Sequence, residues 1–311
     1  MKAIEVIGLA KRYGTTQALA PLSFDIGPGE AVGLLGPNGS GKTTLLRMLA
    51  TLLKPTAGYA RVMDLDGRFQ APKIRRLLGF MPDVAGLEED LSVGEYLDFY
   101  SALNGQSGPE RTARVQGLLD LLDLGPVRDR ATGALSRGMQ QRVGLARTLV
   151  HDPAILLLDE PAANLDPRSR LEILAVLREL RKMGKTIIIS SHILPELEDL
   201  CTRMVILQQG RLAFEGSLAE AARQFSTSRR FELRVDGDGA RLREALASEP
   251  TVASVGGAGG TLEVTLKPGD HPVGFLARRA VELGLTVTGL REEVPGLEEL
   301  FLQLTKGKIE P

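Results

Sequence analysis

The chain has 311 residues, of which 25% are charged, and its formal net charge is −1. The length predicts about two domains, and the balanced charge gives no electrostatic reason to expect nucleic acid or an anionic membrane surface as a partner. A single cysteine, Cys201, excludes an internal disulfide and fits a reducing compartment.

The sequence lacks the patterns of a secreted or membrane-spanning chain. Charged residues interrupt the N-terminal segment, where a signal peptide needs a long apolar stretch. The densest apolar run covers residues 154–158, far fewer than the roughly 20 apolar residues that a spanning helix needs. We therefore expect a soluble protein, and any role at a membrane would come through a partner.

The first motif in chain order is a glycine-rich loop. It fits the pattern G-x-x-x-x-G-K-[ST] with the residues Gly36, Pro37, Asn38, Gly39, Ser40, Gly41, Lys42, Thr43 and Thr44. Its glycines allow backbone N–H groups to approach phosphate oxygens, Lys42 supplies a charge for the β- and γ-phosphates, and the Thr43 hydroxyl is a suitable Mg²⁺ ligand. The alternative is a glycine-rich turn that matches by accident. The motif alone does not separate a kinase, a GTPase and a transport ATPase.

The segments around this loop have the order strand, loop, helix that the motif requires. Residues 31–35 form a short apolar run typical of a buried strand, and residues 44–53 have a helical pattern. Further strand-like runs cover residues 155–158, 186–190 and 203–207. Up to about residue 218 strands alternate with helices, which predicts an α/β domain with parallel strands.

Strand signals are absent between about residues 84 and 150. Three helical periods replace them, at residues 93–103, 110–124 and 136–150. This stretch is predicted to be a helical insertion in the α/β domain.

Two adjacent acids, Asp159 and Glu160, end the apolar run that begins at residue 155. An aspartate at the carboxyl end of such a strand lies beside the phosphate loop in a P-loop fold, where it can hold Mg²⁺. Glu160 is then placed to polarise an attacking water as a general base. The alternative for an isolated pair of acids is a solvated turn, which the phosphate loop in the same chain makes the weaker interpretation.

Two further residues gain meaning from this context. Ser136 precedes a helical period and is predicted to be its N-cap. His192 follows the strand-like run at residues 186–190 and can donate a hydrogen bond to a terminal phosphate. Alone, Ser136 would merely start a helix and His192 would be a structural histidine.

The composition changes after residue 225, and a second domain is predicted there. Strand patterns cover residues 231–235, 252–255, 262–266 and 285–290, and helical patterns cover residues 240–248 and 273–283. The order βαββαβ suits a small ferredoxin-like domain. An amphipathic helix at residues 297–305 is predicted to close the chain.

In chain order, the motifs over about residues 3–218 resemble those of the nucleotide-binding subunits of ABC transporters. The phosphate loop corresponds to Walker A, residues 136–139 to the signature motif, residues 156–160 to Walker B, residues 164–166 to the D-loop and His192 to the switch histidine. The resemblance also places Tyr13 where the family stacks an aromatic ring on adenine; the alternative is an ordinary surface or core tyrosine.

The resemblance implies that the ATPase works as a head-to-tail pair. Two copies, or one copy and a related ATPase subunit, would enclose each ATP between Lys42 of one and the helix start at Ser136 and Gly138 of the other. A helix N-terminus with a free hydroxyl suits this role because it attracts anions.

The resemblance also implies two cofactors, ATP and Mg²⁺, and a role for each residue near the phosphates. Catalysis would use Glu160 as general base, Lys42 as the phosphate-binding charge and His192 as a hydrogen-bond donor to the γ-phosphate. The expected Mg²⁺ ligands are Thr43, Asp83 and Asp159.

Several positions depart from the family's usual residues. Asp83 stands where glutamine is frequent, and its side chain is shorter and charged. The signature motif has Arg137 for glycine and Met139 for glutamine, and the D-loop region has Ala162 and Ala163 where hydroxyl residues are frequent. None of these changes removes Lys42, Asp159, Glu160 or His192, so an active ATPase is expected.

The sequence therefore predicts an α/β P-loop ATPase of the ABC type at residues 1–220, with a helical subdomain at about 84–150 and an accessory α+β domain at 226–311. Residues 294–302 resemble the C-terminal segment of bacterial exporter ATPases that pair with separate permeases. The expected function is ATP-driven transport, with export favoured, through a polytopic permease from the cytoplasmic face of the cell membrane. The alternative is a soluble ABC-type ATPase that acts on ribosomes or DNA, or an ATP-gated regulatory module.

Overall fold

The computed structural model describes residues 2–84, 86–191, 197, 199–217, 220–221, 229–267, 269 and 271–293. They belong to two compact units, Met1–Ser217 and Leu218–Pro311. His192 and the predicted helix at residues 297–305 lie outside the described residues. Among the described helices, none is long and apolar enough to cross a bilayer.

The first unit contains ten strands and six α-helices within the described residues. In chain order these are β1 (Ile4–Tyr13), β2 (Thr16–Ile26), β3 (Ala31–Leu35), α1 (Lys42–Leu49), β4 (Ala57–Val62), β5 (Leu65–Asp66), α2 (Ala71–Leu77), β6 (Leu78–Met81), α3 (Val93–Leu103), α4 (Gly108–Leu121), α5 (Arg137–Leu149), β7 (Ile155–Asp159), α6 (Pro167–Lys182), β8 (Thr186–Ser190), β9 (Arg203–Gln208) and β10 (Arg211–Gly216).

A six-stranded sheet forms the centre of this unit. Its strand order is β10-β9-β3-β8-β7-β6, and every neighbouring pair is parallel except β10 with β9. Strands β3, β7 and β8 are buried along their whole length, as their continuous apolar sequences predict. Because the strands are parallel, the chain leaves β3, β6, β7 and β8 at the same edge of the sheet.

The prediction of parallel strands throughout this unit is wrong for a second sheet. Strands β2, β1, β4 and β5 form a four-stranded antiparallel sheet in that order. Only two residues separate β1 from β2, and one of them, Gly14, has φ +54°. So short a turn permits only a hairpin, because a parallel connection needs a dozen or more residues.

Helix α1 begins and ends earlier than the expected range of residues 44–53. It starts at Lys42, directly after Gly41, and ends at Leu49. The chain then turns sharply: Thr51 has φ +59°, and the N–H groups of both Leu52 and Leu53 donate to the carbonyl oxygen of Arg47. The apolar pattern continues through this turn, and for that reason the sequence predicts a longer helix than the chain forms.

The helical insertion predicted for residues 84–150 is confirmed as helices α3, α4 and α5. Helix α3 has the predicted bounds, whereas α4 starts and ends about a turn before residues 110–124. Ser136 is the N-cap of α5, as predicted, since its hydroxyl accepts a hydrogen bond from Met139 N at 3.4 Å.

The second unit has the predicted βαββαβ order. It contains β11 (Arg230–Asp236), α7 (Ala240–Ala247), β12 (Val252–Ala258), β13 (Thr261–Leu266), α8 (Gly274–Glu282) and β14 (Thr286–Glu293). The strands form an antiparallel sheet in the order β12-β13-β11-β14, which is the ferredoxin-like arrangement. Alternate strand residues join both helices in a core of its own, which includes Phe231, Leu233, Leu262 and Val264.

This separate core predicts a local effect of mutations in the second unit. Leu262→Ala removes a fully buried side chain, so we expect it to lower the free energy of unfolding of this unit by about 2–5 kcal/mol. The control, Leu290→Ala, changes a side chain that is 39% exposed and should cost under about 1 kcal/mol. Urea denaturation followed by hydrogen exchange measures the free energy of unfolding of both variants. Equal losses in Leu262→Ala and Leu290→Ala would contradict the assigned core.

The start of α5 packs closely against α6. A Cβ atom added to Gly138 would lie 2.7 Å from the hydroxyl and 3.0 Å from the Cβ of Ser169. Ser169 has little freedom to move because its hydroxyl donates to Asp166, the N-cap of α6, at 2.6 Å. Glycine at this position is therefore required by packing within one copy of the chain.

We expect Gly138→Ala to destabilise the first unit by about 1–3 kcal/mol, because the added methyl group overpacks this contact. Gly117→Ala on α4 is the matched control, since a Cβ there meets nothing within 4 Å. A double-mutant cycle with Ser169→Gly should recover part of the loss. If the two substitutions change the free energy of unfolding by strictly additive amounts, the contact between residues 138 and 169 does not contribute to stability.

Candidate functional site

The loop after β3 and the residues after β6 and β7 meet at the carboxyl edge of the central sheet. They enclose a cavity of about 310 Å³. Its described lining residues are Ala18, Asn38, Gly39, Ser40, Gly41, Lys42, Thr43, Thr44, Asp83, Asp159 and Glu160. All of these except Ala18 are site residues predicted from the sequence.

The glycines of the loop are required by close backbone contacts. Gly36 has φ +151°, and a Cβ there would lie 2.3 Å from the carbonyl oxygen of Leu207. Gly41 has φ +106°, and a Cβ there would lie 2.9 Å from the carbonyl oxygen of Ala18. The loop therefore packs directly against neighbouring backbone, and α1 begins immediately after it with its N-terminus at the cavity.

Lys42 is the cation of this cavity. Its Nζ donates hydrogen bonds to the carbonyl oxygens of Gly36 at 2.7 Å and Pro37 at 3.3 Å. Burial lowers the pKa of Lys42, and the nearby charges of Glu160 and Asp159 oppose that shift. A phosphate at the loop would add further opposite charge beside this buried ammonium group.

The two acids after β7 occupy different environments. Asp159 is only 2% exposed, and its Oδ1 accepts a hydrogen bond from Ser190 Oγ at 2.7 Å. Glu160 follows with φ +50°, and its backbone N donates to the same Ser190 Oγ at 2.9 Å. Ser190 was not among the predicted site residues; the available signal was a hydroxyl residue at the carboxyl end of a buried strand.

The three expected Mg²⁺ ligands lie around one cavity. Thr43, Asp83 and Asp159 present one hydroxyl and two carboxylates, which are the hard oxygen donors that Mg²⁺ prefers. The described residues contain no group of three or more histidine, cysteine, aspartate or glutamate side chains that could hold a metal ion. A Mg²⁺ ion held by these three side chains would take its remaining oxygen ligands from phosphate or water, as phosphate-bound Mg²⁺ commonly does.

Asp83 connects this cavity to a second one of about 390 Å³, which also reaches the start of α5. The backbone carbonyl oxygen of Asp83 accepts a hydrogen bond from Gln141 Nε2 at 3.4 Å. Arg137 lines the second cavity together with Asp83 and residues 163–165. Arg137 and Asp83, which both differ from the family's usual residues, therefore line the same cavity.

Five other predicted site residues within the described part of the chain do not line the phosphate-loop cavity: Tyr13, Gly36, Pro37, Ser136 and Gly138. Gly36 and Pro37 lie at the start of the loop, where their carbonyl oxygens accept hydrogen bonds from Lys42. Tyr13 is half exposed, and its ring centroid lies 5.0 Å from Lys11 Nζ. Ser136 and Gly138 lie at the start of α5.

Comparison with known proteins agrees with this geometry. The family described as ABC transporter matches residues 19–163 of the chain. An uncharacterized ABC transporter ATP-binding protein of Bacillus subtilis is 33% identical over 301 residues, which cover 97% of this chain and 99% of that protein. The Nod factor export ATP-binding protein I of Rhizobium etli is 34% identical over 310 residues, which cover 100% of this chain and 95% of that protein.

A solved structure shows the same fold over about two thirds of this chain. It is the dimeric structure of a post-hydrolysis state of an ATP-binding cassette bound to ADP and Pi, with 28% sequence identity and a TM-score of 0.64. The match covers 69% of this chain and 98% of that one. The phosphate-loop cavity, the buried Walker B strand and these similarities together lead to one conclusion: this chain belongs to the ATP-binding subunits of ABC transporters and is an ATPase of that family.

Proposed function

We propose that two copies of this chain close head to tail around two ATP molecules and that this cycle drives a separate permease. One observation carries the proposal. The phosphate-loop cavity is lined by Lys42, Asp159 and Glu160, whereas Ser136 at the start of α5 is not among its described lining residues. In this proposal that helix start would bind a phosphate of the nucleotide held by the other copy, because a helix N-terminus attracts anions. The similar cassette is described as dimeric, which supports the same arrangement here.

In this proposal the nucleotide bridges two surfaces of different copies. Backbone N–H groups of the loop and Lys42 bind the phosphates, and Tyr13 stacks on adenine, for which its half-exposed ring is accessible. The second copy contributes the start of α5. The proposed ATP-binding residues are Tyr13, Gly36, Pro37, Asn38, Gly39, Ser40, Gly41, Lys42, Thr43, Thr44, Ser136 and Gly138.

We propose Thr43, Asp83 and Asp159 as the residues that hold Mg²⁺. When bound, the ion would neutralise charge on the β- and γ-phosphates. Asp159 is positioned for this because Ser190 occupies its Oδ1, while its Oδ2 has no hydrogen-bond partner among the described residues. The side chain of Asp83 is shorter than that of glutamine, so it suits a Mg²⁺ ion that lies close to the end of β6.

Hydrolysis is proposed to use Glu160 as the general base. Glu160 lines the same cavity as Lys42, so its carboxylate would be able to polarise a water that attacks a phosphate bound at the loop. His192 is proposed to donate a hydrogen bond to the γ-phosphate, because it follows the strand that ends at Ser190. The chain's contribution is positioning and charge stabilisation, which is how phosphoryl transfer is usually catalysed.

The transport role is proposed to be export. The name of the Rhizobium etli relative states export, and that relative matches this chain along nearly its whole length. We propose residues 1–220 as the ATPase domain, residues 226–311 as an accessory domain, and the cytoplasmic face of the membrane as the location. The permease, rather than this chain, would recognise the substrate.

Replacing the proposed base should separate ATP binding from hydrolysis. Glu160→Gln removes the charge but keeps the size, so we expect ATP affinity to remain while the hydrolysis rate falls by about 100-fold or more. The ATP-bound variant should elute as a dimer in size-exclusion chromatography with light scattering. Glu172→Gln on α6, outside the cavity, is the control and should hydrolyse ATP at the parent rate. A Glu160→Gln variant that does the same would remove Glu160 as the base.

The partner is tested by purification from membranes in mild detergent. We expect a polytopic membrane protein to co-purify with the chain and to raise its ATPase rate after reconstitution. Recovery of ribosomes or DNA in place of a membrane protein would contradict the transport role and would favour a soluble ABC-type ATPase.

A further inference from the structure

The last paired residues of β7 and β8 form a small hydrogen-bonded unit at the proposed catalytic site. Asp159 and Ser190 lie directly opposite each other in the parallel register of these strands. Ser190 is fully buried, so its hydroxyl cannot obtain its hydrogen bonds from water. It donates to Asp159 Oδ1 at 2.7 Å and accepts from Glu160 N at 2.9 Å.

Each of these bonds constrains one proposed functional group. The bond to Asp159 fixes the rotation of its carboxylate and occupies Oδ1, which leaves Oδ2 for a cation. The bond from Glu160 N holds a backbone at φ +50°, a left-handed conformation that is costly for a residue with a side chain. Because the direction of the Glu160 side chain depends on that backbone, the bond to Ser190 contributes to where the carboxylate of Glu160 points.

We propose that Ser190 is a positioning residue for ATP hydrolysis: its hydroxyl sets the geometry of the Mg²⁺-binding carboxylate and of the general base at the same time. This inference rests on the proposed roles of Asp159 and Glu160. It assigns Ser190 no contact with ATP. Loss of the hydroxyl should therefore affect turnover more than nucleotide affinity.

The first test replaces Ser190 with alanine and with cysteine. Ser190→Ala should lower kcat about tenfold, as expected for loss of hydrogen bonds to a charged group, with a smaller, severalfold rise in KM for ATP measured in Mg²⁺. Cysteine has a similar size but is a weak donor and acceptor. Ser190→Cys should therefore resemble Ser190→Ala if the hydrogen bonds matter, and it should resemble the parent protein if only the volume matters.

A matched control lies at the other end of the same strand. Thr186 is also buried, and its hydroxyl accepts a hydrogen bond from Gly29 N at 2.9 Å. Thr186→Val removes that hydroxyl at nearly constant volume. We expect Thr186→Val to lower stability towards urea without changing kcat. If kcat falls as much as in Ser190→Ala, the effect of Ser190→Ala would reflect the general stability of the strand, and the proposal would fail.

The second test measures binding in place of activity. The dissociation constant of the non-hydrolysable analogue AMP-PNP is determined with Mg²⁺ and with EDTA. Ser190→Ala should weaken binding in Mg²⁺ severalfold and leave binding in EDTA unchanged, because only the Asp159 carboxylate is disturbed. Equal weakening in both conditions would indicate damage to the phosphate loop and would overturn the proposal.

The two proposals can fail separately. If Glu160→Gln hydrolyses ATP at the parent rate, the assignment of the base fails, and the role of Ser190 in positioning it fails too. If Glu160→Gln is inactive and Ser190→Ala has the parent kcat and Mg²⁺ dependence, only the inference about Ser190 is wrong.

Discussion

The parallel register of β3, β8 and β7 is the constraint on which the rest of the site depends. Three buried strands that run in the same direction deliver the phosphate loop, Ser190 and Asp159 to one edge of the sheet. The chain must leave that edge in irregular backbone, and left-handed backbone occurs there at Gly36, Gly41 and Glu160. A shift of one residue between β7 and β8 would separate Asp159 from Ser190 and turn the acid away from the loop.

The electrostatics of the cavity follow from that geometry. One lysine and three acids share a small volume in which two of the groups, Lys42 and Asp159, are almost fully buried. Burial lowers the pKa of Lys42, so the charged form has a cost that the two nearby acids only partly offset. Nucleotide and metal would add the missing charges. The charges of the site thus favour binding of a charged ligand, and they cost the unliganded protein some stability.

Sequence patterns were sufficient where one local signal dominated. The buried strands, the α5 cap at Ser136 and the βαββαβ order of the second unit all have such signals, and the structure agrees with them. The antiparallel sheet of β1, β2, β4 and β5 was missed because register shifts in β1 break the strict alternation that marks an antiparallel strand, and because β1 also pairs with the distant β4. Helix α1 was predicted too long because its apolar pattern continues through the turn at Thr51. Ser190 was missed because its local signal, a hydroxyl residue at the end of a buried strand, does not reveal that it faces Asp159 on the neighbouring strand.

The central claim is that one chain contains half of each ATP site and that a second copy supplies the rest. Complementation between two defective variants tests it most directly: Lys42→Ala disables the phosphate loop, and Ser136→Arg disables the α5 helix start. Each variant alone should hydrolyse ATP negligibly, whereas mixtures should gain activity that peaks near equal amounts, because mixed dimers contain one intact site. A mixture no more active than its components, or a fully active Ser136→Arg variant, would contradict the claim.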